Sequence, residues 1–205
     1  MSGRRRSATG NAELLAVKTI SLIIVSLLVV IALSRPWGVE RIPAEQVWAK
    51  ADELGRKNDL DPLLIYSIAC AESSLNAHAG TPKARGIMQM SIGAWESVCS
   101  RSYIEAWDWR INMEEAVAYM VHLRSLQQAA GKYNWVNLAA AYRHGPNALK
   151  RAQYDPDKLP RPTNDIYREL FAGRTPKLPG PAPKREIRDA YAPLPEPQPA
   201  LPDPA

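Results

Sequence analysis

The sequence lacks the residue patterns of several common functional classes. It has two cysteines, Cys70 and Cys99, which are 29 positions apart, and three histidines without the spacing of metal ligands. No basic run with interleaved aromatic residues occurs, which argues against nucleic acid as a partner. No phosphate-binding glycine motif is present either. We therefore expect neither a metal nor a cofactor.

Runs that alternate apolar and polar residues are scarce, so few strands are expected. Helix start signals are frequent instead. Asp61 and Pro62 precede the segment LLIYSIACAES, and Ser91 is placed to cap SIGAWESVCS. Asn112, followed three residues later by Glu115, has the pattern of a capping box ahead of AVAYMVHLRSLQQAA. These signals predict a mainly α fold.

Composition divides the chain into three zones. Residues 1–34 are a basic tail and an apolar segment, and residues 35–173 carry the helical patterns of one folded domain. From Arg174 to Ala205, ten of 32 residues are proline and few are large and apolar. Such a segment buries too little surface to offset its ordering entropy, so a disordered or polyproline-II tail is predicted. Docking to an envelope protein is one use for it.

The N-terminal zone has the features of a membrane anchor. Three arginines, Arg4 to Arg6, precede a twenty-residue segment from Leu14 to Leu33 in which Lys18 is the sole charge. The positive-inside bias predicts a single-pass inner-membrane protein whose remaining chain lies in the periplasm. The alternative is a signal peptide that is cleaved after Ser34, with secretion to the periplasm.

The two cysteines allow two interpretations. In a domain outside the cytoplasm, a disulfide between Cys70 and Cys99 is chemically permitted. The alternative is a pair of buried thiols that pack as small hydrophobic residues. Sequence alone leaves both open.

A carboxylate ends the apolar face of the predicted second helix. Leu64, Ile68 and Glu72 fall at i, i+4 and i+8, so Glu72 faces the same interior as the two apolar residues. Partial burial and the negative end of the helix dipole both raise the pKa of such a carboxyl. A glutamate that keeps its proton near neutral pH is suited to general acid catalysis. The alternative is a glutamate that reaches solvent at a helix end or pairs with a base such as Arg85.

The segment that follows Glu72 resembles a known family. AESSLN, followed by ARGIMQM, is similar to the Glu-Ser pair and Gly-Leu-Met-Gln loop of soluble-type lytic transglycosylases, which have a lysozyme-like fold. DWRINMEEAVAYM from Asp108, LAAAYRHGP, and the pair of Pro162 and Tyr167 resemble three further blocks of that family. The blocks are in the family's order and span roughly residues 44–170.

The resemblance implies a role for each matching residue. Glu72 would be the single catalytic acid and base, with no metal. Ser73 and Gln89 would hydrogen-bond the substrate sugars or hold the geometry of the site. Met88 would line the cleft, although core packing is an equal alternative. Tyr142 would place its hydroxyl near the carboxyl of Glu72.

The chain departs from the family pattern at Arg143 and His144, where Asn and a small residue are usual. Arg143 cannot accept a hydrogen bond as Asn does, and it would instead suit a carboxylate of the peptide stem.

The resemblance implies a peptidoglycan lytic transglycosylase, which forms 1,6-anhydro-N-acetylmuramic acid ends. One alternative is a goose-type muramidase, a hydrolase with the same Glu and loop. The other is a non-catalytic peptidoglycan-binding component of an envelope assembly.

Overall fold

The computed structural model describes residues 17–26 and 38–190. Residues 17–26 are helical. The other helices, in chain order, are α1 (Ala44–Asn58), α2 (Pro62–Ser73), α3 (Ile92–Glu96), α4 (Trp109–Ala129), α5 (Trp135–His144), α6 (Pro146–Arg151) and α7 (Asp165–Phe171), with 3-10 turns at Tyr103–Trp107 and Pro156–Lys158. Strands β1 (Ala84–Arg85) and β2 (Met90–Ser91) pair antiparallel, with Ala84 opposite Ser91. The predicted mainly α class is confirmed.

Two of the predicted helix starts are confirmed. The Asp61 side chain accepts a hydrogen bond from the Leu63 N–H, and Pro62 occupies the first position of α2. The Ser91 side chain accepts from the Ala94 N–H at the start of α3. Helix α3 ends at Glu96, earlier than its sequence pattern suggested.

The predicted capping box at Asn112 and Glu115 is wrong. Asp108 caps α4 instead, because its carboxylate accepts from the N–H groups of Arg110 and Ile111. Asn112 lies inside the helix and is completely buried. Its amide therefore serves a tertiary contact, described below, rather than a helix end.

Helix α2 is the centre of the fold. Its first nine residues, Pro62 to Cys70, are all buried. The helix packs against α1, α5 and α7, so apolar neighbours surround it on several sides. Only its C-terminal turn emerges toward an open cavity, and that turn carries Glu72.

The predicted disorder of the proline-rich tail is wrong for residues 174–190, which we call the C-terminal strap. Ile187 of the strap is buried in the core. The Tyr66 hydroxyl donates to the Pro179 carbonyl at 2.8 Å, and the Tyr133 hydroxyl donates to the Asp189 carbonyl at 2.6 Å. The folded part therefore extends past the predicted boundary at residue 173. Residues 191–205, which were also predicted to be disordered, lie outside the described residues.

A buried ion pair fixes the strap to the start of α2. Both terminal nitrogens of Arg185 donate to the carboxylate of Asp61, at 2.6 and 2.8 Å. The main-chain N–H of Arg188 donates to the same carboxylate at 2.8 Å. The Asp61 side chain is 1% exposed and that of Arg185 is 17% exposed. Asp61 thus caps α2 and holds the strap at once, which its local sequence did not indicate.

The predicted membrane segment, residues 14–33, lies partly outside the described residues. No described helix combines the length and the apolar character that a membrane span needs. Residues 17–26 and residues 39–190 belong to separate units. The anchor therefore stays a prediction.

Both cysteines are free thiols in this structure. Cys70 is buried in α2, and Cys99 is half-buried after α3. Burial raises the pKa of the Cys70 thiol to about 12, so it stays protonated and packs as a small apolar group.

Replacing Arg185 with Leu tests the role of the strap. The change leaves a buried carboxylate without its charged partner, so we expect the free energy of unfolding to fall by about 3–5 kcal/mol. Chemical denaturation followed by circular dichroism measures it. Arg188→Leu is the matched control, because that side chain is exposed and its main-chain N–H still reaches Asp61. Similar stability losses in the two variants would contradict the assignment.

Candidate active site

Glu72 is almost completely buried at the end of α2. Its side chain is 8% exposed. Helix α2 ends at Ser73, and the next residue, Ser74, adopts a left-handed conformation and donates its N–H to the Cys70 carbonyl. The predicted position, a carboxyl that closes an apolar face, is what the structure has.

Two side chains donate hydrogen bonds to this carboxyl. The hydroxyl of Tyr167, from α7, donates to Oε1 at 2.6 Å. One terminal nitrogen of Arg143, from α5, lies 3.1 Å from Oε2 and 3.4 Å from Oε1. The Arg143 guanidinium also lies over the ring of Tyr167, 5.3 Å from its centroid. The predicted alternative partner, Arg85, does not contact Glu72; it lies over the rings of Tyr103 and Trp107.

Burial raises the pKa of Glu72 above the usual range of a glutamate. The hydrogen bond from Tyr167 and the charge of Arg143 oppose this shift, but they do not cancel it. Because the folded-state pKa is raised, the stability that this carboxyl contributes is present at low pH and is lost as the pH rises. The fold thus holds an acid in a place where its charged form is disfavoured.

Tyr142 is predicted to place its hydroxyl near the Glu72 carboxyl, and the hydrogen bonds of that hydroxyl go to other groups. Its hydroxyl donates to the Met88 carbonyl at 2.8 Å and also lies 3.5 Å from Sδ of Met90. Burial, and then the charge of Glu72, raise the Tyr142 pKa well above its ordinary value. Tyr142 therefore lies within electrostatic range of the acid, while Tyr167 makes the direct contact.

The loop after the acid is held by Asn112. Its side-chain oxygen accepts from the Met88 N–H, and its side-chain nitrogen donates to the carbonyls of Arg85 and Ala106. Gly86 has a positive φ of 81°, and a Cβ there would lie 2.3 Å from the Ala106 carbonyl oxygen. Only glycine fits this close approach, which explains the first residue of GIMQM.

The other predicted site residues take different places around the acid. Gln89 lines the cavity beside Glu72, and its amide donates to the carbonyls of Ala79 and Gly86. Met88 is completely buried and does not line the cavity, so the structure favours its core-packing alternative. The Ser73 hydroxyl donates to the Ala69 carbonyl within α2 and is not among the cavity residues.

A cavity of about 460 Å³ opens beside the carboxyl. Its charged residues are Glu72, Lys83 and Arg143, and its aromatic residues are Tyr119 and Tyr142. The rest of the wall is formed by Thr81, Ala84, Gln89, Met90, Ser91, Ala94, His144 and Gly145. Among the described residues that line it, Glu72 alone carries a carboxyl. The space suits a polar ligand next to one acid.

Sequence reasoning missed two residues here. Tyr167 was placed in a family block but was given no role, and its spacing from Pro162 was the available signal. Lys83 was not singled out, since a lysine in a polar loop has no distinctive pattern. In the described part of the chain, no group of three or more His, Cys, Asp or Glu side chains is placed to hold a metal ion.

The cavity and Glu72 lie in the part of the chain that a known family model matches. The model of the transglycosylase SLT domain matches residues 50–162, more than half of the 205-residue chain. The match includes Glu72, the GIMQM loop and Arg143, whereas Tyr167 and the strap follow it. A search of curated proteins found no match.

Replacing Tyr167 with Phe tests the contact to the acid. The change removes a hydrogen bond that favours the charged carboxylate, so we expect the pKa of Glu72 to rise further. A pH titration of the ¹³C carboxyl signal, assigned by its loss in Glu72→Gln, measures it. In Tyr142→Phe, which lacks such a contact, we expect little change. A shift in Tyr142→Phe alone would reverse the roles of the two tyrosines.

Proposed function

Because the chain belongs to the transglycosylase SLT domain family, we propose that it is a peptidoglycan lytic transglycosylase. Its substrate is the glycan strand of the bacterial cell wall. It cleaves the β-1,4 bond from N-acetylmuramic acid to N-acetylglucosamine and leaves a 1,6-anhydro-N-acetylmuramic acid end.

One observation carries the proposal. Glu72 is a buried carboxyl with a raised pKa, and it borders a cavity that lies within the matched range. A carboxyl that keeps its proton at higher pH than usual acts as a general acid. The place of Glu72 at the end of α2 gives this carboxyl both its raised pKa and its position beside the cavity. The catalytic acid of the family needs both properties.

The first step breaks the glycosidic bond. Glu72 donates its proton to the glycosidic oxygen, and the bond between that oxygen and C1 of the muramic acid breaks. The 2-acetamido group of the same sugar stabilises the positive charge at C1. After this step Glu72 is a carboxylate, which the Tyr167 hydroxyl stabilises at 2.6 Å.

The second step closes the anhydro ring. The Glu72 carboxylate takes the proton from the C6 hydroxyl of the muramic acid, and the C6 oxygen attacks C1. Glu72 regains its proton, and no water is consumed. One residue thus serves as acid and then as base, as microscopic reversibility allows.

The composition of the cavity supports this single-acid scheme over a two-carboxylate hydrolase. Glycosidases that use two carboxyls need the second one across the bond, either as a nucleophile or to activate water. Asp108, which opens the second family block, is occupied as the cap of α4. Within the described residues of the cavity wall, a second carboxyl is absent. The goose-type muramidase is therefore the weaker alternative.

The remaining site residues have supporting roles. Gln89 and Arg143 face the cavity and are proposed to contact the sugars. Tyr142 borders the cavity and holds the GIMQM loop through its hydrogen bond to the Met88 carbonyl. Ser73 is proposed to hold the geometry of the site from its place beside Glu72 in α2.

A second candidate function, peptidoglycan binding without catalysis, is favoured by one contact. Arg143 pairs with Glu72 and opposes its protonation. If the pair persisted in the complex, Arg143 would hold the pKa of Glu72 below the value that burial alone would give, and proton donation would be weakened.

The chain is also proposed to be anchored in the inner membrane with this domain in the periplasm. The support is the sequence alone: Arg4 to Arg6 precede the apolar segment from Leu14 to Leu33. Peptidoglycan lies in that compartment, so substrate and domain meet there. Docking of residues 191–205 to another envelope protein is a further proposal from their proline content.

Replacing Glu72 with Gln tests the function. The amide cannot transfer the proton, so we expect the release of anhydro-muropeptides from purified peptidoglycan to fall by roughly 100- to 10,000-fold. Mass spectrometry identifies these products, which are one water lighter than hydrolytic ones. Circular dichroism should show an unchanged fold, since Gln still accepts the Tyr167 hydrogen bond.

The same assay separates the alternatives. Reducing ends from the unmodified protein would indicate a hydrolase. Peptidoglycan binding without soluble product, unaffected by Glu72→Gln, would indicate a binding domain.

Replacing Leu27 and Leu28 with Asp tests the anchor. Two charges in the apolar segment oppose membrane insertion, so we expect the protein to leave the membrane pellet after carbonate extraction. Gln127→Ala, in the folded domain, is the control. An unmodified protein that is extracted in full, without N-terminal processing, would contradict the proposed anchor.

A further inference from the structure

Arg143 contacts the carboxyl oxygen of Glu72 that Tyr167 does not bind. Oε1 of Glu72 accepts the hydrogen bond of Tyr167, whose ring is completely buried. Oε2 has Arg143 as its partner, at 3.1 Å. The Arg143 side chain is 41% exposed, and like Glu72 it borders the cavity.

This arrangement opposes proton donation from Oε2. Arginine is always charged and has no acceptor, so a protonated Oε2 has no favourable contact with it. A glycosidic oxygen must also come within hydrogen-bond distance of the carboxyl to receive the proton. Arg143 must therefore leave Oε2 before the reaction.

We propose that a carboxylate of the substrate draws Arg143 away from Glu72, so that the acid becomes available only when an anionic sugar is bound. This inference rests on the proposed function and names the feature of the substrate that the site selects. Arg143 is thus a specificity-determining residue.

The charges around the cavity favour a carboxylate as the displacing group. Arg143 loses an ion pair when it moves, and a second carboxylate restores that pairing in bidentate form. Lys83 lines the same cavity and adds a positive charge. A neutral sugar offers Arg143 only weaker hydrogen bonds, so it displaces Arg143 less effectively.

Of the three side chains that face Glu72, namely Tyr142, Arg143 and Tyr167, Arg143 carries a charge. Tyr167 approaches from α7, and Tyr142 approaches from α5; both have pKa values well above their ordinary value and are neutral. His144, next to Arg143, has a lowered pKa because of burial and the Arg143 charge. Movement of Arg143 therefore removes the charge that opposes protonation of Glu72.

Two parts of peptidoglycan carry suitable carboxylates. In a glycan without peptides, the lactyl group of N-acetylmuramic acid ends in a free carboxylate. In a peptide-bearing glycan, that group is amidated and the carboxylates lie on the peptide stem. The shared chemistry is a carboxylate next to the muramic ring, and the two sources are separable by experiment.

Binding of disaccharides that lack the cleavable bond tests the inference. N-acetylglucosaminyl-β-1,4-N-acetylmuramic acid is prepared with a free lactyl carboxylate, with a lactyl carboxamide, and with an Ala-Glu dipeptide on the lactyl group. Calorimetry measures the Kd of each for the full-length protein in detergent. The variants are Arg143→Gln and Arg143→Lys, with Arg151→Gln, an exposed arginine outside the cavity, as the matched control.

We expect the unmodified protein and Arg151→Gln to bind at least one carboxylate form about tenfold more tightly than the carboxamide. Arg143→Gln should lose this preference, and Arg143→Lys should keep part of it. The form that is preferred identifies the lactyl or the stem carboxylate as the source.

The pH profile of cleavage separates an effect of Arg143 on the pKa of Glu72 from a general loss of structure, because a loss of structure would not shift the profile. Activity falls as the pH rises through the pKa of Glu72, since the acid needs its proton. Without Arg143 the pKa is higher, so the alkaline limb of kcat/KM should shift to higher pH in Arg143→Gln and stay in place in Arg151→Gln.

The outcomes separate this inference from the proposed function. Equal affinity of the unmodified protein for carboxylate and carboxamide, or a preference that survives Arg143→Gln, overturns the inference. An Arg143-dependent preference in a protein that yields no anhydro product supports the inference and sinks the proposed activity. Loss of all cleavage in a folded Arg143→Gln variant, on every substrate, also overturns it, because Arg143 would then be needed for the reaction itself.

Discussion

The burial of one carboxyl at the end of a central helix governs the rest of this structure. Helix α2 is enclosed by α1, α5 and α7, so the residue that ends it has few places to reach solvent. Glu72 is therefore held where its charge is costly, and its surroundings supply donors to compensate. Tyr167 comes from the last helix and Arg143 from the fifth, so the site depends on how these helices meet around α2.

Local signals predicted much of this arrangement. Asp61 with Pro62, and Ser91, mark helix starts through short-range hydrogen bonds that the sequence encodes directly. The apolar face that leads to Glu72 follows from helical periodicity alone. The prediction failed at Asn112, since a residue that suits a helix cap also suits a buried bridge to the GIMQM loop, and only tertiary structure separates the two uses.

Contacts between distant segments account for what the sequence left out. Tyr142 and Tyr167 are both plausible donors by motif, and the helix packing decides that Tyr167 reaches the carboxyl. The strap was predicted to be disordered because its composition offers little apolar area. The strap is ordered by the burial of Ile187 together with polar contacts, chiefly the pairing of Arg185 with the buried Asp61. Composition alone cannot predict a single ion pair between distant segments.

The position of the strap in the chain has a consequence for biosynthesis. Asp61 and Glu72 stand near the two ends of α2, yet their partners Arg185 and Tyr167 are translated about a hundred residues later. A ribosome-bound chain that has released only α1 to α6 carries Glu72 without the Tyr167 hydroxyl, and Asp61 without the charge of Arg185. The site is therefore completed only after α7 and the strap have left the ribosome.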